Sequence, residues 1–238
     1  MAMSTRSMVW TRRLASAEHP EIRRMIALRN ACSPADVSFP AAALRDSTVA
    51  RWLRRHRLAV DVRTPAELHS AISAGIHPAS MTVHADQLDR GGIRRAGATG
   101  VGRVVLNRSD QLRPLHAEDP QNVLWHMADA AISYSERALD AVISCPSTTL
   151  IGLACRIGVA TDGALACPTA ITNTIAAMDY IRYRHGVLLT RLVLEVADTV
   201  AVEESSHVHR ALSEAIGDSV DDACASLRFP RPAIVMAA

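Results

Sequence analysis

Asp61 and His84 stand at the ends of two short apolar runs, LAVDV (58–62) and SMTVH (80–84), and Asp86 follows His84 by two residues. A histidine at a strand end can act as a general base, with a carboxylate beside it to share the proton chemistry. Packing at a sheet end is the competing role for His84, and the preferred one. A second group lies in EVADTVAVEESSHVH (195–209), which gathers Glu195, Asp198, Glu203, Glu204, His207 and His209. Carboxylates and imidazoles could hold a divalent metal. The spacing matches no ligand motif, however, and His207 and His209 at i and i+2 do not share a helix face. Acidic residues ahead of a helix also serve as caps. No metal site is expected.

Two further stretches carry reactive or charged groups. Cys155 could be a nucleophile only with a stabilised thiolate, and its setting inside an apolar run favours a buried, inert cysteine. RWLRRHR (51–57) packs Arg51, Arg54, Arg55 and Arg57 around His56. Helical spacing makes Arg51, Arg54 and Arg55 neighbours that could attract phosphate or an acidic partner. A solvated outer face is the preferred reading, since few aromatic rings lie nearby to stack bases.

These groups need a frame, and the hydrophobic pattern supplies one. Apolar runs at 36–41, 58–62, 80–84, 103–106, 122–127, 149–155, 191–196 and 233–237 predict eight strands. Between them lie the helical patterns STVARWLRRH, PAELHSAISAG, QLDRGGIRRAG and SDQLRPL, longer ones near 131–143, 164–185 and 205–226, and an opening helix at 18–31. Thr64, Pro65 and Glu67 read as a capping box at a helix start, and Gly75 as its stop. Alternating strands and helices predict an α/β protein built as a closed (β/α)8 barrel, with an open doubly wound sheet as the alternative. The last strand has no helix after it, a gap the helix at 18–31 can fill. Residues 1–17 read as an N-terminal extension and 18–238 as a single barrel domain.

The totals agree with that frame. The 238 residues are 49% hydrophobic and 3% aromatic, so the core must be aliphatic. A net charge of +2 gives no reason to expect nucleic acid or an anionic membrane as partner. Five scattered cysteines without a Cys-x-x-Cys pair point to a reduced, cytoplasmic setting. The N-terminal residues read as neither signal peptide nor anchor, and no apolar run is long enough to span a membrane. All 26 basic side chains are arginine, so the sequence contains no side-chain primary amine.

LAVDVRTPAEL, AGIHPASMTVH and AGATGVGRVVLNRSDQL follow in an order and spacing that resembles the fold-type III pyridoxal-phosphate decarboxylases, the diaminopimelate and ornithine decarboxylase group. The likeness is strongest over 35–115 and continues more weakly through LIGLACRIG, RLVLEVAD and PAIVMAA. It implies an alanine racemase-like barrel with the cofactor at the C-terminal strand ends. It also implies a separate β-domain that this chain is expected to lack. The family's Schiff-base lysine, needed as an amine nucleophile, falls at Ala42. Its ring-stacking histidine falls at Ala154 and a second histidine at Arg156. Its phosphate-binding glycines fall at Glu195, Val196 and Ala197, and the glutamate paired to the pyridinium at Ala237. Asp61, Glu67 and His84 match the family.

With those requirements missing together, the expectation is a noncatalytic pseudoenzyme with a binding or regulatory role. No cofactor is expected, covalent pyridoxal phosphate being excluded by the absent lysine. The named partners are a second copy of the chain, an active relative, or a small anionic ligand. One alternative is altered, lysine-independent chemistry on a small anionic substrate, using His84 and Asp61 with ligand contacts from Arg156, His84, Glu195 and Asp198. Arg156 motivates it, because a guanidinium at the mouth can grip a carboxylate or phosphate bidentately. Another is reversible, noncovalent binding of pyridoxal phosphate.

Overall fold

A computed structural model describes residues 19–115, 120–127, 136–158, 168–196 and 206–237, although the side chains of 136 and 206–208 lie outside that description. Eight parallel strands close on themselves in sequence order: β1 (Asp36–Pro40), β2 (Ala59–Val62), β3 (Met81–His84), β4 (Arg103–Leu106), β5 (Gln121–Met127), β6 (Thr148–Ile157), β7 (Arg191–Val196) and β8 (Ala233–Ala237). β1 pairs with both β2 and β8, so the open-sheet alternative is excluded.

The helices are α1 (Pro20–Cys32), α2 (Ser47–His56), α3 (Pro65–Ser73), α4 (Arg90–Thr99), α5 (Glu136–Ile143), α6 (Pro168–His185) and α7 (Ser206–Leu227). None among the described residues is long and apolar enough to cross a membrane. α1 packs on β1 and α7, filling the place that a helix after β8 would take.

Local chemistry fixes the boundaries. Asp46 caps α2, its carboxylate accepting from the amides of Thr48 at 2.7 Å and Val49 at 3.1 Å. Thr64 and Glu67 form the reciprocal box that opens α3, and Gly75, with φ of +71°, carries the chain out of it. Two helical expectations are corrected. The pattern at 87–97 becomes a 3-10 turn (Ala85–Gln87) and then α4, because Asp89 accepts from the Gly92 amide and starts the helix there. SDQLRPL forms only a short 3-10 turn, Ser109–Leu112, with Gln111 bonded back to the amides of Asn107 and Arg108.

The aliphatic residues divide between two layers. Most pack between strands and helices, where Cys155 is buried at 4% exposure. A smaller set, Val105, Leu124, Ala154, Val193, Val235 and Ala237, packs inside the barrel. Following the pairing registers round the sheet, inward residues of alternate strands fall into rings of four, as expected for a barrel of this type. Ser38, Thr82, Leu124 and Val193 make the middle ring. Asp61, Val105, Ala154 and Ala237 lie above it, followed by Pro40, His84, His126 and Glu195. Small apolar side chains and the hydroxyls of Ser38 and Thr82 fill the first two of these rings, with Asp61 as their ionisable member.

A candidate site at the barrel mouth

β2, β3, β5 and β7 deliver four titratable side chains to the C-terminal end of the barrel. Asp61, His84 and Glu195 are 4%, 3% and 5% exposed. His84 lies between the carboxylates: Nε2 is 3.7 Å from Asp61 Oδ1 and Nδ1 is 3.5 Å from Glu195 Oε1. His126 Nε2 stands 3.8 Å from the same Glu195 oxygen. Arg63, just beyond β2, donates to Glu195 Oε2 at 3.4 Å.

Charge this deep requires partners, and here the partners are close but incompletely bonded. Asp61 Oδ2, His84 Nε2 and Glu195 Oε1 are buried without a hydrogen bond. Burial pushes the His126 imidazole below its ordinary pKa, while Glu195 opposes that shift. Arg63 is held from below: Glu67 accepts from its backbone amide at 2.7 Å, so the capping box of α3 also sets the root of a mouth residue.

Arg63, His84, Asp86, Asn107, His126, Arg156 and Glu195 line a cavity of about 60 Å³, room for a few waters and their polar contacts. Arg156 is exposed at its edge and, among the described residues, has no carboxylate within ion-pair distance. The arrangement can move protons through an imidazole and meet a small anion at the rim.

The sequence candidates separate clearly. Asp61, His84, Arg156 and Glu195 converge on the mouth. Ala42 is exposed in the 3-10 turn (Ala41–Arg45) after β1, while Ala154 and Ala237 face the barrel interior with methyl groups only. Asp198, Ala197, Glu203, Glu204 and the side chain of His207 lie outside the described residues, and His209 is on α7. Among the described residues no group of three metal-binding side chains assembles. Arg63 and His126 were missed as mouth residues. Each stands two positions beyond an inward residue, Asp61 and Leu124, and that period was the available signal.

Residues 21–134 match the family described as pyridoxal-dependent decarboxylase, pyridoxal binding domain. This chain is a relative of the fold-type III pyridoxal-phosphate decarboxylases. Diaminopimelate decarboxylase from Actinosynnema pretiosum is 30% identical over 159 residues, covering 57% of this chain and 36% of that protein. The Mycobacterium tuberculosis enzyme of the same name is 33% identical over 85 residues, 36% of this chain and 19% of its own length. The chain thus spans about a third or less of these curated decarboxylases. Among solved structures, diaminopimelate decarboxylase from M. jannaschi superposes with a TM-score of 0.74 at 11% identity, covering 90% of this chain and 57% of that one. Lysine/ornithine decarboxylase from Vibrio vulnificus gives 0.72 at 18%, covering 90% and 58%. At those identities the likeness to the decarboxylase structures is one of fold.

Proposed function

We propose that this barrel is a noncatalytic relative of the decarboxylases that binds a small anion-bearing ligand at its mouth. The observation that carries the reading is Glu195. Its carboxylate is buried in the mouth ring against Arg63 and His84, at the position where the relatives are expected to offer glycine amides to a phosphate. A side chain there takes the place of the close amide approach that a cofactor phosphate needs. The remaining residues do not fit pyridoxal phosphate either: position 42 offers a methyl group in place of an amine, and position 154 has no ring to stack. The Arg156 guanidinium at the edge, without a carboxylate partner among the described residues, supports an anionic ligand.

The test is a thermal-shift panel of small carboxylates and phosphate esters on the parent and on Arg156→Ala, run beside absorbance titration with pyridoxal phosphate and an amino-acid decarboxylation assay. A stabilising ligand whose effect disappears in Arg156→Ala, with flat titration and no carbon dioxide release, supports the reading. Turnover on any amino acid with added cofactor overturns it.

A second reading, lysine-independent chemistry on a small anionic substrate, is favoured by one observation: His84 sits between two carboxylates with Nε2 unbonded. Ligand consumption by the parent but not by His84→Ala would select it. Pairing with a second copy or an active relative, and a cytoplasmic location, belong to the same proposal. Light scattering of the purified chain, alone and mixed with an active decarboxylase, tests the pairing; strict monomers in both samples count against it.

A further inference from the structure

The opposite end of the barrel carries charge that the mouth does not use. Arg103 begins β4 and Arg191 begins β7, and the registers turn both side chains inward below the apolar rings. Gly152, paired with Arg191, lets the two strands approach closely there: a β-carbon would lie 2.2 Å from the Arg191 carbonyl oxygen. Arg103 donates through Nε to Thr82 Oγ1 at 3.1 Å, which leaves its two terminal nitrogens for other partners. Among the described residues neither guanidinium has a carboxylate within ion-pair distance. Burial first, and then repulsion from Arg191, lower the pKa of Arg103, with Asp61 and Asp36 opposing. Both arginines are half-buried, and Asp36 and Asn122 on the same floor are exposed, so solvent reaches this end.

Two inward guanidiniums that repel each other, each with donors to spare, form an incomplete arrangement. A planar guanidinium binds an oxyanion through two parallel hydrogen bonds, and one anion between two such groups offsets their mutual repulsion. We propose that Arg103 and Arg191 form a binding site for a small oxyanion of the phosphate class at the N-terminal floor of the barrel. The site is separate from the mouth: the side chains of Leu124, Val193, Val105 and Ala154 lie between them. It does not depend on the ligand proposed there.

Thermal unfolding in inorganic phosphate, against chloride at matched ionic strength, tests the site in Arg156→Gln, where the mouth guanidinium is absent, and in Arg156→Gln combined with Arg191→Gln. The melting temperature of Arg156→Gln should rise saturably, on the order of 5 °C at phosphate a hundredfold above Kd. The double variant should be more stable than Arg156→Gln without phosphate, because the repulsion is gone, and should not respond to it. If the double variant fails to fold, Arg191→Lys in the same background keeps the charge without the planar fork and should need roughly tenfold more phosphate. A response of Arg156→Gln no larger than in chloride overturns the site, as does a response retained in the double variant. With Arg191→Lys in its place, an unchanged phosphate requirement overturns it equally.

Discussion

His84 presents Nδ1 to Glu195 Oε1 at 3.5 Å while its other nitrogen faces Asp61, so one imidazole separates two buried carboxylates. Removing the ring exposes the carboxylates to each other across a poorly solvated gap. His84→Leu should therefore cost about 1–3 kcal/mol in urea unfolding. Adding Glu195→Gln should recover part of the loss, because the repulsion disappears with the charge. Additivity of the two substitutions within about 0.5 kcal/mol would show that the pair is uncoupled.

The mouth should respond to pH through His126. Burial lowers its folded pKa below the unfolded value, so below neutral pH the unfolded chain binds the proton more readily. Stability from this residue is full above the ordinary histidine range and is lost as pH falls through the folded value. His126→Gln should flatten the stability profile between about pH 7 and 5, the window set by the ordinary histidine pKa. An unchanged slope would assign the dependence to other groups.

Asp46 gives a local test of helix capping. The amides of Val49 and Thr48 hold its carboxyl below the usual range, so its contribution is present above that range and disappears as acid protonates it. Asp46→Asn should keep the cap while losing this acid sensitivity, and Asp46→Ala should lose both. Melting curves at acid and neutral pH separate the three proteins; identical behaviour of Asn and Ala would remove the capping role.

The cysteines should differ in reactivity. Burial pushes the Cys32 thiol up to about 11. At Cys145 burial also pushes upward, but hydrogen bonds from Ser147 and Thr148 outweigh it and lower the thiol. Iodoacetamide at mildly alkaline pH should modify Cys145 well before Cys32, and Ser147→Ala should slow that labelling. Mass mapping that finds Cys32 modified first would contradict this order.

Gly152→Ala tests the close strand approach. A β-carbon there would lie 2.2 Å from the Arg191 carbonyl oxygen, and backbone rather than a flexible side chain must move. A loss of about 1–3 kcal/mol is expected from chemical denaturation. A neutral result would mean that β6 and β7 can separate locally without cost.

The strands were legible because β-branched and aliphatic runs alternate with well-capped helices: β4, β7 and β8 begin and end where the pattern places them. The 3-10 turns were not, since apolar spacing alone cannot distinguish one helical turn from several. At the mouth, Asp61, His84 and Glu195 could be picked out as titratable groups at strand ends. Arg63 and His126 were harder to read, because the two-residue period points to them only once the inward parity of each strand is known. Arg103 and Arg191 share that obscurity: each opens an apolar strand and reads as an outer flank until the registers turn it inward.

The rings of Leu124, Val193, Val105 and Ala154 have a consequence for how the two ends communicate. They form a low-dielectric bulkhead that neither bulk water nor a dissolved ion crosses readily. Asp61 is the acidic side chain in this partition, and its charge acts on Arg103 from above. Replacing that single carboxylate with an amide should remove one electrostatic contact between floor and mouth.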